Sequence, residues 1–228
     1  MTQGRYYITG GVKKGGQIRE TLMRLAERYD GPVSVLYMGA ASNNDPAYER
    51  PFVGGLSTQV KNGDMTCNIL KLFDKPSIYE HASEDSITAA FAKADIIFFD
   101  GGELCTLRDV FGRYRLKDLC KQAFDRGASV GGLCAGGSIL GSSAIHASEI
   151  AEGIVADTAI GLIPDTAITC YIGRPTHMRR LVLLEDHIYQ SGETGIGVPV
   201  DQTVTWTEDA GFETLFPDLP DPVFCRPD

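Results

Sequence analysis

The sequence predicts an α/β protein built in three layers (αβα) around a doubly wound, mostly parallel sheet. Two observations carry that expectation. Through roughly the first 130 residues, short β-prone runs alternate with helical patterns, the order in which crossover helices join parallel strands. Several of those runs are apolar almost throughout, as strands covered on both faces must be, and are delivered into glycine-rich turns. With 228 residues, 43% of them hydrophobic, the chain can bury one sizeable core. No internal repeat, low-complexity linker or charge block divides it. A single domain over residues 1–228, with a Pro-rich tail over about 216–228, is the economical organisation.

Each element follows from its own residues. Residues 5–9 (RYYIT) form a β-prone run ending in Gly10-Gly11. Residues 18–29 put Ile18, Leu22 and Leu25 on one helical stripe, which Asp30-Gly31-Pro32 stops. Residues 33–38 are apolar except at Ser34, a buried parallel strand, and lead into Gly39-Ala40-Ala41-Ser42. The polar stretch 43–64 holds a helix around 47–61, and 67–73 reads as a strand. Residues 83–94 read as a helix capped by Ser83, with Asp85 and Ser86 in its first turn. Residues 95–100 are another buried strand, entering Gly101-Gly102; helices over 104–110 and 116–125 follow. Residues 129–133 are a short strand broken at Cys134, and 135–141 begin a helix. Beyond Ser148 the pattern loosens to a strand, turn and strand over 159–172, a short helix over 177–184 and a closing antiparallel pair within 195–206.

Charge and cysteine usage narrow the function. Twenty-one Lys+Arg against thirty Asp+Glu leave a net charge of -9, which disfavours nucleic acid and anionic membrane as partners. Six cysteines contain no C-x-x-C pair, so neither a zinc knuckle nor a thioredoxin-type redox site is expected. The N-terminus shows no basic-then-apolar leader, and no apolar run approaches the roughly 18 residues of a membrane span. The expectation is a cytoplasmic protein with reduced thiols. Nothing calls for a cofactor or metal: the 10–16 run GGVKKGG lacks the G-K-[ST] ending and the G-x-G-x-x-G spacing, and reads as a flexible turn after the first strand.

The informative turn is Gly132-Leu133-Cys134-Ala135-Gly136. G-x-C-x-G between a short strand and a helix is the thiol form of a nucleophile elbow, whose small flanks permit a strained turn that lifts the side chain above the sheet. A following helix N-terminus would favour thiolate, and adjacent N–H groups could bind an oxyanion. The alternative is a buried structural cysteine in a glycine-rich turn.

Taken in order, Tyr7-Ile8-Thr9-Gly10-Gly11, Gly39-Ala40-Ala41-Ser42, residues 94–103 and the 132–136 pentad resemble the motifs of the α-aspartyl dipeptidase and cyanophycinase peptidases. That family belongs to the class I glutamine-amidotransferase-like (flavodoxin-like) superfamily, and the likeness runs from about residue 5 to 206. The resemblance implies that Cys134 stands at the nucleophilic serine and that Gly102 and Ala135 supply the oxyanion hole. Glu103 replaces the family's common Asn. Anchored on Arg180-Leu181, the family's histidine falls on Tyr171, and a phenol with a pKa near 10 is a poor base at neutral pH. Of the four histidines, His177 is then the leading base and His146 the next; His187 and His81 read as structural or exposed. Glu149, or less well Glu152, is the acidic member. Glu103, Tyr171, Arg174 and Arg180, with Arg179 nearby, are the substrate-binding candidates, the arginines as receptors for an acidic group.

The function implied is a cysteine hydrolase, monomer or homodimer, acting on a small peptide or amide through a thioester. A glutaminase-like amidotransferase or a thiol-dependent hydratase or lyase uses the same elbow. A ligand-binding or redox-sensing homologue that lost its base is the non-catalytic alternative. Cys170, beside Tyr171 at a strand end, is a candidate for a regulatory disulfide with Cys134; the other four cysteines read as structural.

Overall fold

The computed structural model describes residues 3–11, 16–50, 52, 65–73, 82–148, 153–172 and 178–227. Alternate residues of the first strands point into two different cores. From β1 (Arg5–Thr9), β2 (Val33–Met38) and β4 (Ile96–Phe99), Tyr7, Val35, Tyr37, Ile96 and Phe98 join Leu22 and Leu25 of α1 (Gly16–Ala26) on one face. Ile8, Leu36, Met38, Ile97 and Phe99 join the other. That second core is roofed by α2 (Glu84–Lys93), α3 (Leu104–Arg113) and α4 (Leu116–Asp125), which contribute Phe91, Leu107, Phe111, Leu116 and Phe124. Strands walled on both sides have no solvent face to mark with polar residues, hence their continuous apolar runs. Replacing Leu22 of α1, at 0% exposure against these strands, by alanine would cost about 2–5 kcal/mol.

The α/β class and the parallel core agree with expectation. β1, β5 (Ser129–Leu133), β4, β2 and β3 (Met65–Ile69) are neighbours in that order and mutually parallel. β10 (Thr203–Thr207) and β11 (Gly211–Thr214) extend the β1 edge antiparallel, making seven strands. Ser83 caps α2 as expected, its Oγ accepting the Ser86 N–H at 3.2 Å.

Past Cys134 the chain builds a second sheet of five strands, β12-β9-β8-β6-β7. Its members are β6 (Ser143–Ser148), β7 (Gly153–Thr158), β8 (Thr166–Ile172), β9 (Thr194–Pro199) and β12 (Val223–Cys225). The expected antiparallel pair within 195–206 is therefore incorrect: β9 pairs parallel with β8, whereas β10 pairs antiparallel with β1. Pro199 has no N–H to continue the ladder, and Asp201, at φ +68°, turns the chain from one sheet to the other. The strand preceding the Pro164-Asp165 turn ends at Thr158 and pairs with β6, not with β8. The final helix, α6 (Met178–Ser191), outruns the expected 177–184 because Leu184 and Ile188 extend its stripe against Ile145 and Ala167. In the tail, β12 pairs with β9. A helical turn occupies 46–50, and the rest of the helix expected around 47–61 falls almost wholly outside the described residues. Among the described residues no helix is long and apolar enough to cross a membrane.

The two sheets touch at the end of β1. Gly10 donates its N–H to Gln202 O at 3.0 Å and accepts the Tyr171 N–H at 2.6 Å, while Asp201 donates to Gly11 O at 2.8 Å. This junction adjoins the carboxyl end of β5, where Cys134 stands.

Candidate active site

β5 lies between β1 and β4, and its last residue hands the chain to Cys134 at φ +53°, ψ -114°. That side of the map costs a residue with a Cβ about 1–3 kcal/mol and persists only where neighbours fix it. Here they do: the Cys134 N–H donates to Thr9 O at 3.0 Å, and its carbonyl accepts the N–H of Ser138 at 2.8 Å and of Gly137 at 3.0 Å. The turn also needs a bare Gly136, since a Cβ there would sit 2.1 Å from the Phe99 carbonyl oxygen. The helix that follows, α5 (Ala135–Ser138), has only four residues, shorter than the 135–141 expected. Electrostatic help to a thiolate therefore comes from the local Ala135 N–H rather than from a long helix.

The partly buried sulfur has a mixed surrounding. Burial pushes the Cys134 thiol above its ordinary range; the Arg180 guanidinium, the Ala135 N–H and a hydrogen bond with the Tyr171 hydroxyl pull it down; the Asp100 carboxyl pushes it up. Burial wins, so the thiol titrates higher than a free cysteine. Arg180 is 6% exposed, with Nη1 donating to Cys170 O at 3.1 Å and its guanidinium carbon 5.5 Å from the centre of the Tyr171 ring. Tyr171 itself is held at φ +67°.

The oxyanion candidates are Ala135 and Gly102. Ala135 is the next residue, and a Cβ on Gly101 would stand 3.3 Å from the Cys134 Cβ, so in the Gly101-Gly102 turn the residue preceding Gly102 lies against Cys134, while Gly102 itself packs on the Ala41 carbonyl. Glu103 anchors that turn with its N–H on Ala41 O at 2.9 Å, and its carboxylate accepts the Cys105 thiol at 3.5 Å. His146, His187 and Arg179 fall elsewhere. His146, 6% exposed, places Nε2 3.1 Å from Asp157 Oδ2, and Asp157 also meets Arg108 at 3.5 Å. His187 meets Glu193 at 2.8 Å, and Arg179 is exposed on α6. His177, Glu149, Arg174, His81 and Glu152 lie outside the described residues.

Cys170, 1% exposed, directs its sulfur to the Cys134 carbonyl oxygen at 3.6 Å and to Ser138 Oγ at 3.3 Å; all six cysteines are free thiols. Sequence reasoning missed Asp100, a 4% exposed carboxyl facing Cys134. Its signal was an acidic residue closing an otherwise apolar strand immediately before Gly101-Gly102.

These features define a three-layer α/β protein whose candidate site lies where parallel strands end. Over residues 9–214 the sequence matches peptidase family S51, to which this chain belongs, and it is accordingly a hydrolase of the peptidase kind. Its fold is similar to that of a peptidase from an acI-B1 Actinobacterium, with a TM-score of 0.66 at 15% identity, covering 99% of this chain and 95% of the other. It is also similar to a candidate peptidase E from Listeria monocytogenes EGD-e, with a TM-score of 0.58 at 12% identity over 100% of both chains. Among curated proteins none matches the sequence.

Proposed function

We propose that Cys134 is the nucleophile of this peptidase, cleaving a small peptide or amide through a thioester. The observation that carries the reading is the strained backbone of Cys134 at the end of β5, which holds its sulfur among Arg180, the Ala135 N–H and Tyr171. On this reading the turn is a nucleophile elbow. The thiolate adds to the carbonyl carbon, the Gly102 and Ala135 amides hold the oxyanion, the amine departs, and water releases the acid from the thioester. His177 and Glu149 remain the proposed base and its acidic partner. Arg180, almost wholly enclosed, acts on the sulfur and on Tyr171 more readily than on a substrate group arriving from solvent, which leaves Arg174 and Glu103 as the outer substrate contacts.

The test is turnover of a panel of short peptides, including Asp-Xaa dipeptides, by wild type, Cys134→Ala and Cys134→Ser. Loss in Cys134→Ala, with an acyl adduct on Cys134 seen by mass spectrometry in wild type, is the expected result; unimpaired Cys134→Ala rejects it. A ligand-binding or redox-sensing role is the second reading, favoured by the burial that holds the thiol protonated. It predicts that iodoacetamide labels Cys134 no faster than the other thiols.

A further inference from the structure

We infer that Tyr171 is the catalytic partner of Cys134, donating its hydroxyl proton as a hydrogen bond to the thiolate and then transferring it to the leaving amine. The inference rests on the reading of Cys134 as nucleophile and assigns the next group in the same reaction.

Three independent features place the hydroxyl for this work. First, β8 runs against Cys134: the preceding residue, Cys170, sets its sulfur 3.6 Å from the Cys134 carbonyl oxygen, and the Tyr171 hydroxyl lies near enough to pull the Cys134 thiol down. Second, a bulky aromatic residue at φ +67° is a backbone outlier, and such strain persists where surrounding structure imposes it. The imposing contacts are visible: the Tyr171 N–H is fixed to Gly10 O at 2.6 Å, and its ring occupies the space a Cβ on Gly11 would need, 2.5 Å from Cε1. Gly11, at φ +136°, is thus bare on the side where the ring lies. Third, the Arg180 guanidinium lies 5.5 Å from the ring centre and is nearly sealed from water, so its charge bears on both the phenol and the sulfur.

A phenol is a poor base but a competent acid, and the proposed step uses it as an acid. With the thiol proton first taken by the proposed base and held there through the cycle, the thiolate lone pair forms the S–C bond; as the C–N bond breaks, its electron pair goes to nitrogen, which takes the Tyr171 proton. The tyrosinate is held by Arg180. In the second half, water forms the C–O bond and gives a proton to the tyrosinate, and the C–S electrons return to sulfur. Peptide plus water become acid plus amine, with Tyr171 and the thiolate restored. Among the described residues, the ionisable groups facing the sulfur are Arg180 on α6, Asp100 after β4, and Tyr171 and Cys170 on β8.

Tyr171→Phe keeps the ring and removes only the hydroxyl. Iodoacetamide labelling of Cys134 as a function of pH should shift its midpoint upward by about one to two units, because a thiolate loses a charge-assisted hydrogen bond. Turnover of the peptide panel should lose roughly 100-fold in kcat with KM little changed. A second variant guards against a folding defect: 3,5-difluorotyrosine at position 171, a more acidic phenol of nearly the same shape, should move the alkaline limb of kcat to lower pH. An unmoved labelling midpoint and full turnover in Tyr171→Phe, with Cys134→Ala inactive, overturn the role of Tyr171 and leave Cys134 standing. An unmoved alkaline limb in the fluorinated protein overturns the proton transfer. Turnover surviving in Cys134→Ala overturns the nucleophile itself, and the role assigned to Tyr171 with it.

Discussion

The hydroxyl of Tyr37 donates to one carboxyl oxygen of Asp100 at 2.5 Å, while the other oxygen accepts the Gly101 N–H at 2.7 Å. The pair ties β2 to the turn that passes beside Cys134, inside a part of the fold where Asp100 is 4% exposed. Burial raises the Asp100 carboxyl above its ordinary range, and the bonds from Tyr37 and Gly101 offset part of that rise. A carboxyl raised in the folded state binds its proton longer there than in the unfolded chain. Ionising it therefore costs stability as pH climbs from the ordinary carboxylate range, near 4, through the folded value. Asp100→Asn never incurs that cost. The difference in Tm, variant minus wild type, should grow more positive from pH 4 to pH 7; a difference that stays flat or falls would show the carboxyl ionising as easily folded as unfolded.

The same substitution reports on the sulfur. Among the described residues, Asp100 is the acidic group that acts on Cys134, and it pushes the thiol up. Removing its charge should lower the midpoint of Cys134 labelling by about a few tenths of a pH unit. Tyr37→Phe leaves a buried carboxyl oxygen without its donor and should destabilise by about 1–3 kcal/mol, measured by denaturant unfolding.

The parallel core was legible because its strands, such as β2 and β4, are apolar on both faces and end in glycine. The second sheet was not. β7 is largely solvent-facing, β6 is built from Ser, Ala and His around Ile145, and neither carries a strong β signature. The 195–206 stretch holds two strands with a tight turn between them, and local pattern cannot say that they belong to different sheets. In the site, Cys134 was readable because a G-x-C-x-G turn is a local feature. The company of Tyr171, Arg180 and Asp100 depends on β8, α6 and β4 converging, which no spacing encodes. In the sequence Tyr171 stands where the family's histidine falls and is a substrate-binding candidate; its left-handed backbone appears only in three dimensions.

Cys170 and Cys134 should differ sharply toward alkylating reagents. Burial pushes the Cys170 thiol to about 12, with the neighbouring Cys134 adding to the rise. In the native protein between pH 8 and 9, peptide mapping after brief iodoacetamide exposure should find label on Cys134 and none on Cys170. Cys170→Ala should leave the Cys134 labelling midpoint nearly in place. Equal labelling of the two would mean that β8 opens easily and that the sulfur is not enclosed.

His146 belongs to the β6–β7 hairpin and its pairing with Asp157, so its removal should register in stability and not in turnover. His146→Ala breaks a nearly buried hydrogen bond and leaves Asp157 to Arg108, a loss of about 1–3 kcal/mol by denaturant unfolding. With kcat for the peptide panel within about twofold of wild type, His146 is structural. A drop comparable to that of Cys134→Ala would return it to the reaction.

Gly11→Ala separates the placement of Tyr171 from its chemistry. The new Cβ would stand 2.5 Å from Cε1, 2.7 Å from Cδ1 and 2.9 Å from Cζ of the Tyr171 ring, on a backbone at φ +136° that L residues rarely adopt. Something must move. Cζ carries the hydroxyl that bonds the sulfur, so a ring pushed aside withdraws that donor while every polar group of the site remains in the sequence. The expected result is a Cys134 labelling midpoint displaced upward in the same direction as in Tyr171→Phe, together with a stability loss of about 1–3 kcal/mol from the strained backbone. The double variant Gly11→Ala/Tyr171→Phe should label no more slowly than the slower single variant, because each removes the same hydrogen bond. Additive slowing would show that Gly11 supports Cys134 by a route that does not pass through the tyrosine.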